Sequence, residues 1–251
     1  ASHEAIPALF QIIRESGCTP SKSKHSETLL ISKNKGTPQN LKNYRRIGLE
    51  NTLYKLWTRM VTCAAADYAE RHNILSASQC GFRGRRSTAD QMEMLTMCLE
   101  DAFSSKQDLF VNLVDFTEAF DTIDHDKLLV ISYDLGFPTD FIEVVKDLYT
   151  GATTSIKTPF GHTPAIPVDR GTIQGDSLSP FLFIVYMEPL LRWLKVGNKG
   201  YKPGLLRNQP DQQPNTQDQV SDITYADDLT LLTGTPQDMQ TQAHKVTLYS
   251  E

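Results

Sequence analysis

Apolar positions along this chain recur at two spacings, and the pattern switches between them often. Ile6 to Glu15 carries apolar residues at helical intervals, whereas Thr28 to Ser32 is a short apolar run of strand length. That run enters Lys33-Asn34-Lys35-Gly36-Thr37-Pro38, basic and turn-prone, so the pattern predicts a helix and then a hairpin with a cationic tip. Leu53, Leu56, Trp57, Met60, Val61 and Ala64 lie at helical spacing behind Asn51 and Thr52, either of which can cap a helix reaching Glu70. Ser87-Thr88-Ala89-Asp90 has the form of a capping box and opens a second helix to Phe103. Both apolar stripes are expected to face the core. Between them lies Gln79-Cys80-Gly81-Phe82-Arg83-Gly84-Arg85-Arg86, a glycine-broken loop dense in arginine.

The second half alternates in the same way. Leu109 to Asp115 reads as a buried strand that ends on an acid, followed by helices over His125 to Leu135 and Thr139 to Tyr149. Two short strands fit Thr154 to Thr158 and Ala165 to Asp169, and a strongly apolar helix fits Ser177 to Leu194, entered through Gly171 and Gly175. Residues 195–222 are rich in Gln, Asn, Pro, Gly and Asp, the composition of a surface loop. Ile223 to Ala226 and Leu229 to Leu232 are two apolar strands joined through Asp227-Asp228, and a polar helix starts near Pro236. Strands and helices are mixed without an internal repeat, which predicts an α+β fold.

Composition narrows the classes. The 251 residues are 39% hydrophobic and 22% charged, inside the range of ordinary globular chains and outside that of collagen, coiled coils or disordered segments. The longest apolar run, Phe181 to Met187, falls well short of the roughly 20 residues that cross a bilayer, so no membrane partner is expected. Cys18, Cys63, Cys80 and Cys98 lie far apart with no C-x-x-C pair, which disfavours a disulfide framework or a zinc site and makes an intracellular setting, nuclear or cytoplasmic, the default. The net charge of -5 conceals an asymmetry: residues 1–100 hold 14 Lys and Arg against 9 Asp and Glu, and residues 101–251 hold 11 against 21. One region can attract phosphates while the other collects cations.

Two aspartates at the tip of an apolar hairpin repel each other and are costly to bury, and a divalent cation resolves both problems. The same holds for Asp115 at the end of its apolar strand. If that strand lies beside the Asp227-Asp228 hairpin, three carboxylates converge. Hard oxygen donors with no His or Cys beside them suit Mg²⁺ or Mn²⁺, and a pair of such ions serves in-line phosphoryl displacement.

Five segments then resemble, in order, those of reverse transcriptases, most closely the non-LTR retrotransposon type. Tyr225-Ala226-Asp227-Asp228 is similar to the Y-x-D-D hairpin, and Asp115-Phe116-Thr117-Glu118-Ala119-Phe120-Asp121 to D-x-x-x-A-F-D, with His125 following. Gln174-Gly175-Asp176-Ser177-Leu178-Ser179-Pro180 resembles Q-G-x-x-L-S-P, Gly81-Phe82-Arg83 with Arg86-Ser87-Thr88 resembles G-F-R-x-x-R-S-T, and Asn43-Tyr44-Arg45 with Ile47 and Leu49 resembles N-Y-R-P-I-S-L. The resemblance implies a right-hand polymerase with fingers and an antiparallel palm sheet backed by helices. Residues 1–108 would be mainly fingers and 109–251 mainly palm. It implies DNA synthesis from dNTPs on an RNA template carrying a DNA primer, with Asp115, Asp227 and Asp228 holding two Mg²⁺ ions. Lys33, Arg45, Phe120, Gln174 and Gly175 would bind the nucleotide, Phe120 as the steric gate against a 2′-hydroxyl, and Arg83, Arg85 and Arg86 would meet template phosphates.

Departures exist. Arg46 and Gly48 stand where the family usually has Pro and Ser, Gly84 where Pro is common, and Glu118 where Lys is frequent. The sequence stops at Glu251, before the family's lysine-bearing segment, primer grip and thumb, so a thumbless fragment of weak or no activity is expected. A group II intron or retron reverse transcriptase shares the same segments, and a catalytically silent RNA-binding fragment of a mobile element is the alternative from another class. A viral RNA-dependent RNA polymerase fits less well, because that family favours G-D-D and lacks the bulky gate.

Overall fold

The computed structural model describes residues 2–250 apart from 35, 38, 174, 198 and 205–218. In chain order the elements are α1 (Ser2–Ser16), β1 (His25–Ser32), β2 (Tyr44–Leu49), α2 (Thr52–Arg71), α3 (Thr88–Ser105), β3 (Phe110–Val114), α4 (His125–Asp134), α5 (Thr139–Tyr149), β4 (Thr153–Thr158), β5 (Gly161–His162), β6 (Ile166–Pro167), α6 (Ser179–Lys195), β7 (Asp222–Tyr225), β8 (Asp228–Thr233) and α7 (Pro236–Ser250). The fold is α+β. It separates into two compact units, one built from residues 1–74 and 120–185, the other from 75–119 and 186–251. Each unit is made of two stretches, whereas the sequence reading divides the chain once, after residue 108.

In the first unit, β1 and β2 form the antiparallel hairpin, with Ile31 opposite Arg45 and Ser32 opposite Tyr44, and the backbone N–H of Lys33 closes it on the Asn43 carbonyl at 2.7 Å. The sheet runs β2-β1-β4-β5 with β6 also on β4, and β1 lies parallel to β4. The first half of α6 is the unit's deepest segment, with Leu182, Ile184 and Val185 fully buried and Phe181 meeting Phe137 and Phe141 edge-on. Asn51 caps α2 by accepting the Leu53 N–H at 2.9 Å, as expected. The face of α2 is a correction. Leu53, Leu56 and Met60 are exposed, and the buried side is Tyr54, Trp57, Thr58, Thr62, Ala65 and Ala69. Trp57 is buried as expected, so the buried face is turned away from the rest of the expected stripe and takes in Tyr54 with the small Thr58, Thr62, Ala65 and Ala69.

The second unit holds the antiparallel sheet β3-β8-β7, with α3 against β7 and α7 against β8 and β3. Ser87 and Asp90 form the capping box of α3. Its apolar stripe is also a correction: Met92, Met97, Leu99 and Phe103 are exposed, and Cys98 and Ala102 are buried. β3, expected as a buried strand, is an edge strand with Leu113 76% exposed. The segment read as surface loop over 195–222 is anchored at Tyr201, fully buried against Cys98, Ala102, Ile223 and Leu232, with its hydroxyl donating to Asp101 at 2.6 Å. A polar average over the segment hides this one aromatic; the rest of the segment lies largely outside the described residues.

Candidate active site

β3 and β8 run antiparallel with Val114 opposite Leu229, and β7 meets β8 with Tyr225 opposite Asp228. Asp115 therefore follows the last paired residue of β3, and Asp228, the first residue of β8, immediately precedes Leu229, where the pairing with β3 begins. Successive antiparallel neighbours sit about 5 Å apart, so the register leads both acids to the same end of the sheet. Asp227 lies in the β7-β8 turn behind Ala226, whose φ of +57° is the left-handed conformation of a tight turn. Asp115 and Asp228 are exposed and Asp227 is half-buried. Burial pushes the Asp227 carboxyl above the usual carboxylate range, and the charges of Asp228 and Asp115 push it the same way. Among the described residues, no three His, Cys, Asp or Glu side chains are gathered closely enough to form a ready metal cage. The donor chemistry nonetheless fits a hard cation: all are carboxylate oxygens, and the charge that raises Asp227 comes from its own two partners.

What holds this hairpin was not legible as chemistry in the sequence. Gln79, fully buried, lays its side-chain amide along the Ala226 peptide: Oε1 accepts the Ala226 N–H at 2.9 Å and Nε2 donates to the Ala226 carbonyl at 3.3 Å. The same Oε1 accepts from the Gly81 N–H at 2.8 Å. Around it, Cys80 N–H donates to Thr224 O and Thr224 N–H to Ser78 O, and Gln91 Nε2 donates to both carbonyls. The glycine-broken loop is thus strapped to β7 by main-chain and amide bonds. The signal that could have flagged it is a Gln before a Gly-Phe-Arg run, an uncharged side chain able to mimic a peptide on both edges.

The arginines of that loop split in role. Arg83 Nη1 donates to the Ser76 carbonyl at 2.6 Å and the Gln79 carbonyl at 3.1 Å, and Arg86 Nη1 donates to the Ala77 carbonyl. Both bind their own loop. Arg85 is exposed, with φ at +62°.

The expected nucleotide-binding residues lie in the other unit. Arg45 sits on β2 opposite Ile31, and Lys33 stands two residues beyond Ile31, on the same face of the hairpin by strand alternation. Arg46, the departure from Pro, pairs with Asp121 at 2.6 Å, an exposed contact worth at most about 1 kcal/mol. Phe120 is half-buried and stacks on Phe183 of α6, with centroids 4.5 Å apart. Gly175 has φ of +120°, and a Cβ there would sit 2.6 Å from the Gly48 carbonyl oxygen, so the turn needs glycine on both counts. Gln174 lies outside the described residues.

Beside this turn is a buried acid pair that the sequence reading overlooked. Asp176 is 6% exposed and accepts from Thr58 Oγ1 at 2.5 Å and from the Leu178 N–H at 3.3 Å. Both carboxyl oxygens of Glu50 are shut off from solvent. The Glu50 carboxyl is raised to about 8, by burial first and then by the Asp176 charge, with Lys55 opposing them. Asp176 is itself raised by burial, so the pair retains a proton. Because the folded-state pKa of Glu50 is the higher one, its contribution to stability is full below pH 4.5 and is lost as pH rises through about 8. Glu50→Gln should remove that slope, changing the wild-type difference by on the order of 3 kcal/mol across the window. Urea titrations of both proteins at stepped pH measure it; parallel stability curves would contradict the raised Glu50 carboxyl.

The comparisons with known proteins bear on what these strands, this hairpin and these carboxylates belong to. The reverse transcriptase (RNA-dependent DNA polymerase) family profile matches residues 31–249, and the chain belongs to that family. It is 25% identical over 97% of its length to the retrovirus-related Pol polyprotein from type-1 retrotransposable element R2 of Nasonia vitripennis. It is 29% identical over 68% of its length to the probable RNA-directed DNA polymerase from transposon BS of Drosophila melanogaster. It covers 22% and 19% of those two relatives, about a fifth of each. Apo telomerase from Candida tropicalis, truncated from its C-terminal domain, shares the fold with a TM-score of 0.60 at 13% identity, over 94% of this chain and 49% of the telomerase chain. Among the described residues, no helix is long and apolar enough to cross a membrane.

Proposed function

We propose that the chain is the fingers and palm of a non-LTR retrotransposon reverse transcriptase, an intracellular enzyme that joins the 3′-hydroxyl of a DNA primer to the α-phosphorus of a dNTP on an RNA template. The observation that carries this reading is the β3-β8 register, which leads Asp115 to the end of the sheet where Asp227 and Asp228 turn. Family membership and the R2, BS and jockey relatives favour the non-LTR type over intron or retron enzymes.

Asp115 and Asp227 would hold two Mg²⁺ ions with Asp228 in support, and bound there the ions would lower the hydroxyl's pKa and steady charge on the departing pyrophosphate. The protein's own part is placement. Lys33 and Arg45 on one hairpin face offer a point charge and a fork for the triphosphate. Gly175 lets the backbone approach the nucleotide, and Phe120, braced by Phe183, stands where a ring excludes a 2′-hydroxyl. Arg85 offers a salt-sensitive contact to template phosphate, and Arg83 and Arg86 shape the loop that carries it.

Extension of oligo(dT) on poly(rA) by the full-length gene product, with Mg²⁺ and then with chelator, tests the reading. Incorporation of dTTP that stops on chelation is expected; binding of the template-primer without incorporation would return the chain to the RNA-binding alternative. Phe120→Ala should raise ribonucleotide incorporation by about tenfold or more with extension from dNTPs retained. Unchanged sugar selectivity would make Phe120 a packing residue only.

A further inference from the structure

His125 has no role in the reading above, yet it reaches the nucleotide turn. Its Nε2 lies 2.8 Å from the Gly171 carbonyl oxygen, to which it donates, and its ring stacks on Tyr149 at 4.2 Å and 26°. That carbonyl belongs to the peptide joining Gly171 to Thr172. The N–H of the same peptide, on Thr172, donates to the Phe120 carbonyl at 2.8 Å. One peptide plane is therefore held at both edges, at its oxygen by His125 and at its nitrogen by the gate residue's own backbone. The Gly171 N–H adds a third bond, to Ile123 O at 2.8 Å. The approach is close enough that a Cβ on Gly171, where φ is +80°, would lie 2.8 Å from the Asp121 carbonyl oxygen. Thr172 is 4% exposed, so water offers no substitute partner.

We propose that His125 is a positioning residue for the incoming nucleotide, orienting the Gly171-Thr172 peptide and thereby holding the Phe120 gate in register with the turn at Gly175. The proposal rests on the polymerase reading and deepens it. The imidazole works as a hydrogen-bond donor on a stacked, aimed ring, and it touches neither nucleotide nor metal. Loss of the donor leaves a buried carbonyl unpaired and frees the peptide to tilt, which moves the Phe120 carbonyl with it. Binding and sugar choice suffer; the chemical step, run by carboxylates elsewhere in the chain, does not.

The test is a series at this position, read as single-nucleotide primer extension. His125→Phe keeps a ring and lacks the donor, His125→Asn keeps a donor too short to reach, and His125→Gln places an amide N–H near the position of Nε2. Phe and Asn variants should raise the KM for dNTP by about tenfold with kcat within about twofold, and admit ribonucleotides more readily, while Gln restores both to within about threefold. Should His125→Phe fail to fold, the Asn and Gln pair decides, since both are polar residues at a half-buried position in the first turn of a helix. Folded Phe or Asn variants with wild-type KM and wild-type sugar selectivity would overturn the proposal, as would a Gln variant no better than Asn. A wild-type protein that extends no primer indicts the polymerase reading instead, so the two failures are distinct.

Discussion

Asp227→Ala should abolish primer extension, by a factor of about 1,000 or more, while leaving the protein as stable as before or slightly more so. The two effects have opposite signs for one reason. Asp227 is half-buried in a tight turn, and its carboxyl is raised by burial and by the neighbouring charges of Asp228 and Asp115. A carboxylate kept under such repulsion costs the fold free energy, which fits the metal-binding role proposed for it. Removing it relieves two like-charge contacts, worth about 0.5 to 1 kcal/mol at a partly solvated site, and takes away the hard oxygen donor proposed to hold a metal ion. Primer extension and thermal melting, measured side by side, check both halves. Undiminished extension would refute the site; a large fall in melting temperature would mean that the carboxyl is structural.

Gly81→Ala should have nearly as large an effect by a purely steric route. A Cβ at residue 81 would lie 2.3 Å from the Ala226 nitrogen and 2.9 Å from its Cα. Both are backbone atoms, and Ala226 cannot retreat without breaking its two bonds to the Gln79 amide. Overpacking of this kind costs about 2 to 3 kcal/mol, and displacement of the turn by even 1 Å misplaces Asp227 enough to cost about a hundredfold in rate. Gly84 in the same loop is the internal control, because a Cβ there meets nothing within 4 Å. Gly84→Ala should therefore stay near wild type in urea denaturation and in extension. Equal behaviour of the two alanine variants would show that the loop does not brace the hairpin.

The pattern of residue types was enough for most of the local structure. Caps at Asn51 and Ser87 and the strand-turn-strand run around Asp227-Asp228 are written in neighbouring residues, and each is formed by bonds within a few positions of chain. The acidic end of β3 was legible for the same reason. Orientation was not. Periodicity places a helix but does not choose among its faces, which is why the buried side of α2 keeps Trp57 of the expected stripe but joins it with Tyr54, Thr58, Thr62 and Ala65 in place of Leu53, Leu56 and Met60. Nor does polarity choose the fate of a side chain. Gln79 lies in an arginine-rich loop and is a buried brace, Arg83 reads as a phosphate ligand and spends a guanidinium nitrogen on its own loop, and Glu50, unremarked in the sequence, is a buried acid beside Asp176.

The sequence by itself determined the family, the element types and the three carboxylates, because each depends on the chemistry of residues close together in the chain. Only the tertiary structure decided which groups hold those carboxylates and the glycine turns at Gly171 and Gly175 in place. The partners of Ala226, Gly171 and Asp176 are peptide edges and side chains brought from distant segments, and any residue type with a donor at the right height could have supplied them.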